Sequence, residues 1–366
     1  MTHTGGPDSN GRSGERELLA RLVQAIRGAG LPVDSPWITH LYIALKSRPM
    51  AVLVGPPDSG KRGLVRCLAE VLSDGEPSQY LPVSGHPWWS GKCPNPALFI
   101  EAQTRLNAER LLALVEEAWL PRNTGRVFIA CLSQISPAEL SGFFAELGYQ
   151  LQHDELIRLP GAHLARPVPY PRNLLVIGTL DRCWLDWCDE QLHGVTSLIP
   201  CDWSAGLNDA AQPGIPQRIA PPEGAFPRSW VRSDKAAYAK LNRCPGQGQE
   251  LAVLMQRLDG RLRNRGLELP QEVSRGAAIY LANAWSDDGR GLFASEFQAN
   301  LTIAIDMVLA HVVLPPLARA LRASLSLRCA IQRELEGFPR GRALVECLGG
   351  GISWMARRPM QSGWEG

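Results

Sequence analysis

MAVLVGPPDSGKRGLVRCLAEVL, residues 50–72, is read first because three structural signals follow one another in it without a gap. Met50 to Val54 is short and wholly apolar, as a strand buried on both faces must be. Gly55-Pro56-Pro57-Asp58-Ser59-Gly60-Lys61 then fits the spacing G-x-x-x-x-G-K. Arg62 to Leu72 places its apolar residues at helical intervals. Strand, glycine-rich loop and helix in this order form an anion cradle: backbone N–H groups and the helix N-terminus face a phosphate, and Lys61 adds a positive charge.

Working outward, Arg16–Gly28 and Trp37–Lys46 read as helices before this strand, and 98–119 and Pro137–Leu147 as helices after it. Arg126–Leu132 and Asn173–Thr179 are two further apolar strands. The alternation implies an α/β fold, an αβα sandwich with a parallel sheet covered by helices. Residues 204–233 are rich in Pro, Gly, Ala and Asp at first and read as a linker or irregular insertion. From 234 to 366 the chain reads as helix, with candidates at 249–265, 271–285, 295–313 and 316–336. The expected division is a disordered tail over 1–15, a nucleotide-binding αβα domain over 16–203, the linker, and an all-helical domain over 234–366.

Around the loop, several groups that phosphate chemistry needs are replaced. Arg62 stands where a Ser or Thr hydroxyl would ligate Mg²⁺, so a metal is doubtful and no metal ligand is assigned. Its guanidinium either replaces part of the metal's charge or points to solvent. The strand ending at Leu132 runs into Ser133-Gln134, where an acidic pair is needed; an amide cannot take the proton of an attacking water. The next carboxylate is Glu139.

With these residues in view, the chain resembles the McrB-type branch of the AAA+ ATPases over most of 16–360. LYIALKSRPMAVLVGPPDSGKRGLVRCLAEVL (41–72) is similar to that branch's helix, strand, Walker A loop and helix, and SQISPAELSGFFAEL (133–147) to its Walker B segment with the acids replaced. NLLVIGTLD (173–181) resembles the sensor-1 strand, ending in Asp181 where the family has Asn. SRGAAIYL (274–281), IDMVLAHVVLPPLARAL (305–321) and GISWM (351–355) resemble the sensor-2 helix, the lid helix and its closing segment. The resemblance implies a lid domain, ATP or GTP on residues 55–62, and Arg275 near the γ-phosphate. It also implies assembly with like or unlike AAA+ subunits, a separate effector protein, and an antiviral restriction-like setting. No arginine finger stands in Gln191–Val195. Arg62, Ser133-Gln134, Asp181 and the missing finger all bear on one transition state, so hydrolysis is expected to be very slow or absent. Asp181 is expected to repel phosphate unless Arg62 or Arg182 pairs with it.

Two rival readings follow from the same residues. One is an active ATP- or GTP-hydrolysing motor that remodels a protein or DNA complex; the other is a nucleic-acid-binding defence subunit with no nucleotide role. Charge gives the latter no support, since 38 Lys and Arg against 36 Asp and Glu leave a net charge of +2. Nine scattered cysteines without a C-x-x-C pair read as reduced thiols. The polar first fifteen residues lack a signal-peptide core and no apolar run approaches ~20 residues, so a cytoplasmic protein without a membrane span is expected. His86-Pro-Trp-Trp89 with Lys92 reads as a packing cluster or contact loop. Cys183, Trp184, Trp187 and Cys188 read as one apolar face, and Arg261, Arg263 and Arg265 as a solvated face.

Overall fold

The computed structural model describes residues 14–57, 59–73, 76–83, 109–135, 150, 169–187, 196–201, 230–243 and 247–350. Expected features at Asp58, His86–Lys92, Pro137–Leu147, Glu139, Cys188, Gln191–Val195, 204–229 and 351–355 lie outside these residues.

Five strands, β1 (Met50–Gly55), β2 (Tyr80–Val83), β3 (Phe128–Leu132), β4 (Leu174–Asp181) and β5 (Thr196–Pro200), form one sheet in the order β2-β3-β4-β1-β5. Every neighbouring pair is parallel. All six residues of β1 and seven of the eight in β4 are buried. Side chains alternate between the two faces of a strand, so both faces of the sheet are covered at its centre. Two strands were not expected. β2 has four residues, includes Pro82 and lies at one edge; β5 lies at the other and is half open. Edge strands tolerate proline and polar residues, which removes the apolar signal that marked β1, β3 and β4.

Helices α1 (Gly14–Gly28) and α2 (Ser35–Ser47) precede β1, and α3 (Lys61–Leu72) follows it. Asp34 caps α2 through the Trp37 N–H at 2.8 Å. The helix α1 begins at Gly14, so Glu15, expected in the tail, instead lies in its first turn. There it receives hydrogen bonds from Tyr42 and Lys46 of α2. Residues 109–119 are helical, and a short turn of helix α5 (Trp184–Trp187), numbered after that segment as α4, follows β4. Trp184 is fully buried and Cys183 is exposed, so the two do not share one apolar face.

The C-terminal part is helical: α6 (Asp234–Leu241), α7 (Gln247–Arg263), α8 (Gln271–Asn283), α9 (Phe297–Val308), α10 (Ala318–Ala323), α11 (Leu325–Glu334) and α12 (Pro339–Leu348). The stretch expected as one helix over 316–336 divides because Ser324 leaves helical geometry and caps α11 through the Leu327 N–H. Arg261 holds Glu334 through two nitrogens at 2.8 and 2.6 Å, and Arg265 donates to the Ser326 carbonyl. These arginines join α7 to α11; they are not merely a solvated face. Among the described residues no single helix is long and apolar enough to cross a membrane.

The helical part packs on α2. Tyr280 Oη and His40 Nδ1 are 2.8 Å apart, and the His40 ring stacks on His311 at 4.0 Å. His311 belongs to the π-helical turn Leu309–Val313 that continues α9. Burial, with Arg340 nearby, holds His40 down at about 3 and lowers His311 as well. Asn283 exchanges hydrogen bonds with the backbone of Val231 and donates to Ser47 Oγ. Arg232 donates to the Leu45, Lys46 and Arg172 carbonyls, capping the end of α2. Residues 230–233, assigned to the linker by sequence, are therefore fastened to the core.

Candidate functional site

The carboxyl edge of the sheet gathers most of the expected groups because the strand register brings them there. Gly55, at the end of β1, pairs with Asp181 at the end of β4. Leu132, the last residue of β3, pairs with Gly178, so Ser133 and Gln134 emerge beside Thr179. β1 with its glycine-rich loop, β3 with Ser133-Gln134 and β4 with Asp181 are thus neighbours, with β4 in the middle. Ligands of open α/β sheets bind beyond this edge.

The two glycines of the motif are closely hemmed in. A Cβ at Gly55 would lie 2.3 Å from the Cys201 carbonyl oxygen, and that backbone cannot yield. Gly60 has φ of 74°, the left-handed region that glycine enters without cost, and forms the N-cap of α3 with no side-chain cap bond. Leu31 closes on it: a Cβ at Gly60 would meet its Cδ2 at 2.5 Å. Ser59 is buried and folds back, its N–H and Oγ both donating to the Pro56 carbonyl. Pro56 and Pro57 are exposed. A Cβ at Gly63 would meet nothing within 4 Å, so this side of the first turn of α3 faces open space. The first N–H groups of a helix have no acceptor inside it, and the N-cap Gly60 has no side chain to take them.

Lys61 is the best-defined charge of the site. Only 3% exposed, its Nζ donates to the Gly55 carbonyl at 2.9 Å, to the Pro56 carbonyl, and to Ser59 Oγ at 3.1 Å. Asp181 Oδ1 lies 3.0 Å from the same nitrogen. An ammonium has three N–H donors, so four oxygens saturate it. The expected partner of Asp181 was Arg62 or Arg182; both are exposed, and Lys61 makes the pair because the β1–β4 register sets the carboxylate beside the loop. Arg62 is exposed, which fits both of its readings. The Arg182 N–H donates to the Gly55 carbonyl, tying the end of β4 to the loop a second time.

Ser133 is buried, with its Oγ 3.7 Å from Cys131 Sγ, and its N–H donates to Val83. Gln134 is exposed and has φ of 57°, costly for a residue with a Cβ. Thr179 holds this turn from both ends: its Oγ1 accepts from the Gln134 N–H at 2.8 Å, and its carbonyl accepts from the Ile135 N–H at 2.9 Å. No separate role for Thr179 was read from the motif; its place two residues before Asp181, on the strand between the loop and Ser133, is the signal. A hydroxyl and an amide occupy this turn, and neither is a general base for water.

Arg275 is not brought to the loop. It faces Asp234 at 3.7 Å, and a Cβ on its neighbour Gly276 would lie 2.4 Å from Arg48 Nη2. Arg48 precedes β1 and donates to the carbonyl of Thr196, which begins β5. The backbone beside Arg275 therefore lies toward the amino edge of the sheet, where Arg48 and Thr196 meet. Two guanidiniums of the helical part do reach the loop side: Arg340, 3.0 Å from Asp34 at the start of α2, and Arg322, which donates to the Leu185 carbonyl just after β4. Among the described residues no three His, Cys, Asp or Glu converge as a metal site. No family model matches the chain, and comparison with the curated proteins finds no match.

Proposed function

We propose that this chain is a degenerate AAA+ protein of the McrB-like kind, which holds the phosphates of ATP or GTP without appreciable turnover and serves as a structural or regulatory subunit. The observation that carries this reading is the pairing of a preserved cradle with a neighbouring turn that has lost its acids. The left-handed Gly60 at the N-terminus of α3 and Lys61 suit a phosphate, whereas Ser133 and Gln134 have no carboxylate to prime water. When bound, the nucleotide would supply an anion for Lys61 and for the N–H groups of 60–63. Arg62 has no hydroxyl for Mg²⁺, which leaves the phosphates to these groups.

In this reading residues 16–203 form the nucleotide-binding unit and 234–366 the helical lid, and the chain assembles with like or unlike AAA+ subunits in a cytoplasmic, restriction-like defence complex with a separate effector. Calorimetric titration of ATP and GTP, with and without Mg²⁺, into wild type and Lys61→Ala tests the first half. Lys61-dependent binding with no phosphate release is the expected result. Turnover that needs Mg²⁺ and Lys61 would replace it with the active-motor reading, and no binding of either nucleotide would remove the nucleotide from the function.

A further inference from the structure

We infer that Asp181 is a tethered anion that competes with nucleotide phosphate for Lys61, so that opening of the Lys61–Asp181 pair sets the nucleotide affinity. This rests on the reading above that residues 55–63 hold phosphate. Three observations carry it. Asp181 is pinned beside the loop by the sheet, opposite Gly55 in the β1–β4 register, and the next residue's N–H is bonded to Gly55. Its carboxylate lies 3.0 Å from Nζ and is the one charged group among the described residues that pairs with Lys61; the other three acceptors are two carbonyls and a hydroxyl. Finally, the two partners differ in access, with Asp181 28% exposed and Lys61 3%.

That asymmetry dictates how the pair exchanges. Lys61 stays inside the loop on its neutral acceptors, while the carboxylate can turn outward into water and leave the ammonium to an incoming oxyanion. With the carboxylate in place, a phosphate meets a like charge at the position where it needs a cation. A neutral side chain of the same shape removes both the competition and the repulsion. Asp181 is thus an affinity-setting residue at this site, and nucleotide binding requires its displacement.

The test uses the full-length protein and its Asp181→Asn, Asp181→Ser, Lys61→Ala and Lys61→Ala/Asp181→Asn variants, checked for a retained thermal transition. ATP and inorganic pyrophosphate are titrated calorimetrically, each with and without Mg²⁺. Both Asp181 variants are expected to bind ATP and pyrophosphate about tenfold more tightly than wild type, without a need for Mg²⁺, the gain vanishing in the double variant. Affinity that is unchanged or weaker in both Asp181 variants, while wild type binds through Lys61, overturns the competition and leaves the phosphate reading standing. Mg²⁺-dependent binding in wild type that both Asp181 variants lose would make Asp181 a metal ligand and overturns it too. No binding by any of the five proteins removes both readings.

Discussion

Lys46 and Lys61 are withdrawn from solvent almost equally, at 1% and 3% exposure, and each meets a carboxylate, yet their surroundings differ. Lys46 lies where α2 packs on α1. Its partner Glu15 is 12% exposed, and Tyr42 both donates to Glu15 at 2.8 Å and sets its ring 5.6 Å from Nζ. Lys61 lies at the open edge of the sheet, on two carbonyls, a hydroxyl and a carboxylate that water can reach. A buried charge enclosed by an aromatic ring and a half-buried acid fastens two helices. One held by exchangeable oxygens at an edge is free to change partners. Burial alone does not distinguish fastening from function; the accessibility of the partner does.

The contrast makes a ranked set of expectations in which the surfaces packed around α2 lose stability and the loop edge loses binding. Lys46→Ala leaves Glu15 without its counter-charge and is expected to cost about 3 kcal/mol in urea unfolding; a cost below about 1 kcal/mol would break the comparison at its stronger end. Acid is the next lever. His40 at about 3, and His311 also lowered, lie below the ordinary histidine value of 6.5, so the unfolded chain binds more protons between the two values. Their contribution is complete above pH 6.5 and is lost as pH falls, by about 1.4 kcal/mol per pH unit for each imidazole. Asp306 acts in the opposite sense. Burial raises it from 3.8 to about 6, so its contribution grows as pH falls through that window and offsets part of the loss. Urea midpoints at pH 7 and pH 5 should therefore differ in wild type and differ less in His40→Gln; equal midpoints in wild type would contradict the burial of the pair.

At the loop edge the stability effects are smaller. Lys61→Ala is expected to shift unfolding by about 1 kcal/mol or less, because Asp181 turns to water, while the heat of nucleotide binding disappears. A large loss of stability with binding retained would place Lys61 with Lys46. Smallest of all, Arg275→Ala removes an exposed pair with Asp234 and should stay within about 0.5 kcal/mol, with nucleotide affinity unchanged. A drop in affinity there would restore the role that its resemblance to a sensor-2 arginine implies.

Which of these features were legible beforehand follows from their physics. β1, β3 and β4 showed themselves because strands buried on both faces must be apolar throughout, and the loop because its glycines and lysine have fixed spacing. β2 and β5 did not, since an edge strand with Pro82 or Pro200 has no continuous apolar run to display. At the site, the replaced groups Arg62, Ser133 and Gln134 were visible by position alone. The partner of Asp181 was not: Arg182 adjoins it in sequence and Arg62 adjoins Lys61, and only the fold turns Lys61 inward onto the carboxylate while leaving both arginines exposed. The place of Arg275 was not legible for a related reason, because a helical motif fixes a face of a helix but not which edge of a sheet it meets.

The close approach of Cys201 to Gly55 has a mechanical meaning. Cys201 N–H donates to the Val54 carbonyl at 2.7 Å, and its own backbone forms the wall against which the first loop glycine rests. Force applied to the chain beyond Cys201 is delivered, with no slack between, to the residue whose carbonyl holds both Lys61 and the Arg182 N–H. A pull on that strand end is a pull on the glycine-rich loop, and in the proposed reading a phosphate seated there would stiffen the strand end in return.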